Sequence, residues 1–161
     1  MNILKKNLRL AVICFSALFS VSALAAEPIN TLEKKGLFGY EESGIALRGY
    51  DTVAYFTQGA PAKGLEEFST QWQNATWLFS SNEHLELFTA QPEKYAPQYG
   101  GYCAYGVVKD GLVKIEPENW SIVDGKLYLN YDDKVQKLWE QDISGFIATA
   151  DEKFEALLES E

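Results

Sequence analysis

The sequence predicts an α+β fold: one compact domain with two β-hairpins, each followed by a helix, and helices at its C-terminus. Three observations carry this. "WSIVDGKLYLNY" centres on Asp124-Gly125, a strong two-residue turn signal, with apolar residues alternating on both sides. "EFSTQWQNATWLFSS" alternates with period two around Gln73-Asn74, which sets its aromatics on one face. Each hairpin then runs into a segment that opens on Ser or Asp and carries apolar residues three and four apart, the pattern of a capped amphipathic helix.

The first 25 residues stand apart. Lys5, Lys6 and Arg9 precede an apolar run from Leu10 to about Val21, and Ala23-Leu24-Ala25 closes it. This is the layout of a secretory signal peptide cut near Ala25/Ala26, so the exported chain starts at Ala26 or Glu27. The apolar run is shorter than the roughly 20 residues that span a bilayer. No twin arginine is present and Ile13, not a small residue, precedes Cys14, so the signal reads as Sec-type and the destination as the periplasm. Loss of the leader takes the formal charge of −9 three units lower and removes Cys14. Cys103 is then the one cysteine and His84 the one histidine, so no internal disulfide holds the chain in an oxidising compartment. Stability must come from a packed core, for which the tyrosines, phenylalanines and tryptophans supply bulk. Strong acidity argues against nucleic acid and against anionic membrane surfaces.

Residues 26–44 read as an N-terminal segment with a short helix near Asn30–Lys35. The domain proper spans 45–161. Ile45–Leu47 reads as a short strand, and Asp51 as the cap of a helical turn over Thr52–Phe56. Phe68, Thr70 and Trp72 share one face of the first hairpin; Ala75, Trp77 and Phe79 share a face across the turn. Ser80 and Glu83, three apart, predict a capping box for a helix over Ser81–Ala90 that stops before Pro92. In the second hairpin a two-residue loop pairs Val123 with Lys126, Ile122 with Leu127 and Trp120 with Leu129. Trp120, Ile122, Leu127 and Leu129 then form a core face. Asp132 or Asp133 opens a helix with Val135, Leu138 and Trp139 on one stripe. A last helix, Ile143–Leu158, carries Ile147, Phe154, Leu157 and Leu158. The two hairpin-then-helix units show no sequence kinship at this level, and no linker or low-complexity tract divides them.

Candidate chemistry concentrates in "QYGGYCAYG", Gln98 to Gly106. Cys103 sits among Tyr99, Tyr102 and Tyr105, after Gly100-Gly101. The glycines permit positive φ or close backbone approach, and the tyrosines can wall a pocket and offer hydroxyls. A sealed, inert cysteine fits the same residues. His84 falls in the first turn of its helix, where the dipole disfavours imidazolium. A neutral ring there can ligate a metal or complete the fold with a hydrogen bond. No C-x-x-C and no phosphate loop is present.

"YDTVAYF" and "ATWLFSSNEHLELFTAQPEKYAPQYGGYCAYG" resemble the YHS domain family. Trp77, Phe79, Ser81, His84, Phe88, Pro92 and Tyr95 stand where that family's aromatic-x-F-x-S-x-x-H-x-x-x-F and P-x-x-Y pattern places them. The resemblance covers about residues 45–150, in the longer form found in exported bacterial members. It implies metal binding, copper above all, with Cys103 and His84 as the ligands available here. Ala54 and Ser80 occupy positions where relatives carry cysteines, so a thiolate-rich site is not carried over. Three readings therefore stand open. The first is a periplasmic, non-enzymatic binding protein for copper or another soft metal. The second is an accessory or interaction protein without metal, with a structural Cys103 and a groove lined by Tyr99, Gly100, Gly101, Tyr102 and Tyr105 for a peptide or small ligand. The third is a thiol enzyme.

Overall fold

The structure, a computed structural model, describes residues 26–37 and 39–160. The expected leader lies outside the described residues. The α+β class is as expected: the described residues form three antiparallel two-stranded sheets and six α-helices. No helix among the described residues is long and apolar enough to cross a membrane.

Two helices open on the same unusual backbone. Leu47, Arg48 and Gly49 take positive φ (51°, 56° and 73°), and Tyr99, Gly100 and Gly101 repeat this (55°, 59° and 81°). Each left-handed turn is closed by a tyrosine N–H: Tyr50 to Leu47 O, 3.1 Å, and Tyr102 to Tyr99 O, 3.0 Å. Next comes a helix cap, Asp51 for α1 (Thr52–Thr57) and Cys103 for α4 (Ala104–Val108). A hairpin follows each, β3 (Leu65–Trp72) with β4 (Ala75–Phe79), and β5 (Trp120–Val123) with β6 (Lys126–Leu129). Helices complete each unit: α2 (Asn82–Ala90) and α3 (Pro92–Tyr95), then α5 (Asp133–Trp139) and α6 (Ile143–Ser160). The hairpin-then-helix units are therefore alike in their first turn and in the order of their elements. Left-handed conformation costs an ordinary residue about 1–2 kcal/mol, so burial and hydrogen bonding must hold Leu47 and Tyr99 there. Both side chains are buried.

The segment expected as a helix at Asn30–Lys35 is instead strand β1 (Leu32–Lys35), paired with β2 (Gly39–Glu42). Asn30 decides this. Its Oδ1 accepts from Leu32 N (3.0 Å), a local turn that competes with a helical start. Its other groups bind elsewhere: N to Gly100 O, Nδ2 to Gly101 O and its carbonyl to Leu47 N, each at 2.9 Å. Asn30 thus clamps the two left-handed turns to each other. The short strand expected at Ile45–Leu47 reduces to a single bridge from Ile45 to Thr76, because the chain turns left-handed at Leu47.

The core has two parts. One holds Trp77, Phe79 and Phe88 with Tyr55 and Val53; the other holds Tyr99, Val107, Tyr128, Trp139 and Ala150. Strand β6 lies between them, with Leu127 and Leu129 in the first and Tyr128 in the second. The second hairpin has the expected register, and Asp124 and Gly125 take the positive φ of a type I′ turn. Its inner face is only partly as expected: Ile122 is 37% exposed, whereas Tyr128 on the opposite face is buried. Strand β6 is covered on both sides because α5 and α6 pack beyond it. Likewise Leu138 is 41% exposed while Trp139 is fully buried. The α2 cap is Ser81, whose hydroxyl accepts from His84 N (3.2 Å), not Ser80.

Candidate functional site

Ser80 is displaced from capping because it serves a buried polar cluster around Asp51. Five donors converge on this carboxylate. Oδ1 accepts from Val53 N (2.9 Å) and Ala54 N (3.3 Å), which caps α1. Oδ2 accepts from Ser80 N (2.8 Å), Ser80 Oγ (2.6 Å) and the Nδ1 of His84 (2.6 Å). Asp51 is fully buried and the His84 side chain is 9% exposed. An acceptor-only carboxylate matches five donors with no lone pair wasted. The proton on the δ side of His84 is thereby fixed. The other nitrogen, Nε2, lies 3.1 Å from Thr57 Oγ1. The Thr57 hydroxyl has one proton and two partners, since Val53 O is 3.0 Å away. If it donates to Val53 O, His84 donates from Nε2 and carries both protons. If it donates to Nε2, the ring is neutral. In either state both ring nitrogens are engaged.

Cys103 occupies the matching position in the second unit. It is 1% exposed. Its sulfur accepts from Gly106 N (3.2 Å), capping α4, and the thiol donates to Asn130 Oδ1 (3.6 Å). Asn130 directly follows β6 as Ser80 directly follows β4. Asn130 is fully buried; its Oδ1 also accepts from Tyr105 N (3.2 Å) and its Nδ2 donates to Gln136 Oε1 (2.9 Å). So Cys103 and Asn130 stand where Asp51 and Ser80 do, and Gln136 joins the second cluster through Asn130. One cluster is built on a carboxylate and an imidazole, the other on a thiol and two amides. Burial pushes the Cys103 thiol above its ordinary pKa, against the opposing effect of the Gly106 N–H. The thiol, not the reactive thiolate, is therefore the favoured form.

The two expected metal ligands thus sit in separate clusters with no hydrogen-bond partner in common. Among the described residues no group of three or more His, Cys, Asp and Glu side chains is placed to hold a metal ion. Carboxylate, imidazole and hydroxyl follow one another at Asp51, His84 and Thr57 in the order of a hydrolase triad. Thr57, however, lies within α1 and its hydroxyl is within reach of its own helix carbonyl.

The expected tyrosine-lined groove is closed by packing. Tyr99 is buried, its ring edge-on to Phe154 at 5.6 Å, and its hydroxyl donates to Asp151 Oδ1 (2.8 Å). Burial first, and Asp151 second, push its pKa upward. Tyr102 is buried and donates to Glu27 O (3.0 Å). Tyr105 is half-buried, edge-on to Phe146 at 5.2 Å. Gly101 packs against Leu47: a Cβ there would come 2.2 Å from Leu47 Cδ2. Gly100 lines an open groove of about 520 Å³, with Pro28, Trp72, Gln73, Asn74, Pro97 and Phe154 around it. Set against known families, curated proteins and solved structures, the chain matches no family model, no curated protein and no solved structure.

Proposed function

We propose that the protein is an exported accessory or interaction protein of the YHS kind, without enzymatic activity, in which Cys103 and His84 are structural. The observation that supports this most is the engagement of all three donor atoms. The Cys103 sulfur caps α4, and both His84 ring nitrogens are held by Asp51 and Thr57. A soft metal would have to break these bonds and open two buried clusters at once. The surface offered to a ligand is the groove beside Gly100. Its two prolines, Trp72 and Phe154 suit an apolar stretch of an extended peptide, and the Gln73 and Asn74 amides suit its backbone.

Competition against a copper(I) chelator tests the choice between this reading and metal binding. Wild type, Cys103→Ser and His84→Gln are expected to leave the chelator equally loaded. One copper(I) withdrawn by wild type, and by neither variant, would establish the metal reading in its place.

A further inference from the structure

Ala26 meets the far end of α6. Its N–H donates to Leu158 O at 3.2 Å. Leu158 belongs to the last turn of that helix, whose carbonyls have no intrahelical partner and carry the negative end of the helix dipole. No basic side chain lies in that turn. The one lysine of α6, Lys153, turns away to Val108 O (2.8 Å) and Asp110. Three carboxylates adjoin the contact along the chain or the groove: Glu27 follows Ala26, Glu159 follows Leu158, and Glu155 lines the groove with Leu158. Gln73 and Asn74, on the β3–β4 turn across the same groove, are neutral.

The chain beyond Ala26 is fixed as a strap. The Glu27 carbonyl accepts from the Tyr102 hydroxyl. The Pro28 carbonyl lies so close to Gly100 that a Cβ there would stand 1.9 Å from its oxygen. Ile29 and Asn30 are buried, and Asn30 holds both left-handed turns. Five residues, 26–30, therefore join the end of α6 to the middle of the fold.

We propose that the leader is cut between Ala25 and Ala26, and that the ammonium group so created caps the C-terminus of α6 through Leu158 O. This rests on the exported reading above. Hydrolysis by the export machinery adds one water: its oxygen completes the Ala25 carboxylate, and its two protons turn the Ala26 amide N–H into an ammonium group. A neutral amide donor becomes a cation at the negative end of a helix, among three carboxylates. Of the two start points left open by the Ala23-Leu24-Ala25 pattern, only Ala26 keeps the donor. Processing and completion of the fold are then the same event.

The sign of the pH dependence follows. A carbonyl acceptor and nearby carboxylates favour the charged amine in the folded state, which raises its pKa. The stability it adds is full below the unfolded α-amino value of about 7.7–8.0 and is lost as pH rises through the folded value. Intact mass of the exported protein and urea unfolding of chains beginning at Ala26 test this together. At pH 6, N-acetylation is expected to raise the unfolding constant about two- to fivefold, the range for a charge at a helix end. At pH 10 the amine and acetyl forms are expected to coincide. Deleting residues 158–161 removes the acceptor and is expected to abolish the pH 6 difference. Equal stability of the two forms at pH 6 would overturn the cap. An exported chain starting at Glu27 or later would overturn the processing step, and a retained leader would overturn the exported reading itself.

Discussion

Replacing Cys103 by serine separates a capping cysteine from any other kind. The side chain is 1% exposed, accepts from Gly106 N and donates to Asn130 Oδ1. A serine hydroxyl keeps both roles and is a preferred N-cap. Burying it costs about 1–3 kcal/mol; two hydrogen bonds at about 0.5–1.5 kcal/mol each offset most of that. The net change should lie within about 1 kcal/mol. Alanine loses the cap and leaves the Gly106 N–H without its acceptor, for a cost of about 2 kcal/mol. Aspartate, the residue at the matching position of the first unit, should be worst, above about 3 kcal/mol. There it would meet the Oδ1 of Asn130, an acceptor, with no imidazole to answer its charge. Urea unfolding monitored by tryptophan fluorescence gives the three values. A serine variant more than 1 kcal/mol less stable than alanine would refute the capping role.

Other outcomes follow from the same geometry. Asp51→Asn puts an amide where five donors converge, so it should cost about 3 kcal/mol or more in urea unfolding. Gly100→Ala and Gly125→Ala separate strain from collision. Both have positive φ, but a Cβ at Gly125 meets nothing within 4 Å, whereas one at Gly100 meets Pro28 O. The first should cost well over 2 kcal/mol and the second about 1. Burial works against ionisation of Glu116, but bonds from Lys114 and Arg48 outweigh it and hold its pKa below the ordinary value. A depressed carboxylate stabilises above its unfolded value of about 4.3 and loses this as pH falls through the folded value. Glu116 is part exposed, so Glu116→Gln should cost less than about 1 kcal/mol at pH 7, with the difference vanishing toward pH 3 in acid unfolding.

Local patterns were legible in the sequence where local chemistry decides. Asp124-Gly125 specified a turn and with it every pairing of the second hairpin. Asp51 and Asp132 cap their helices, as short acidic residues before an apolar stripe should. What stayed hidden depends on distant partners. Nothing near Asn30 signals that its amide reaches 71 residues along the chain to Gly101, and that contact turns an expected helix into a strand. Ser80 reads as a cap until Asp51 claims it, and Ser81 takes the role. The tyrosines of "QYGGYCAYG" offered hydroxyls for a pocket, but α6 and the N-terminal strap cover them. One further signal lies in the sequence itself. "LRGYD" and "YGGYC" share Gly-Tyr before the cap, and that pair marks the left-handed turn opening each unit.

The rate of thiol labelling at Cys103 tests the central claim most directly. A sealed helix cap reacts only through opening of the fold. An opening free energy of about 5 kcal/mol, the low end for native domains, slows labelling by a factor of several thousand relative to the unfolded chain. The account predicts at least that protection, lost in parallel with structure as urea is added. Labelling of the native protein within about tenfold of the unfolded rate would contradict it, and would return Cys103 to the surface as a ligand or nucleophile.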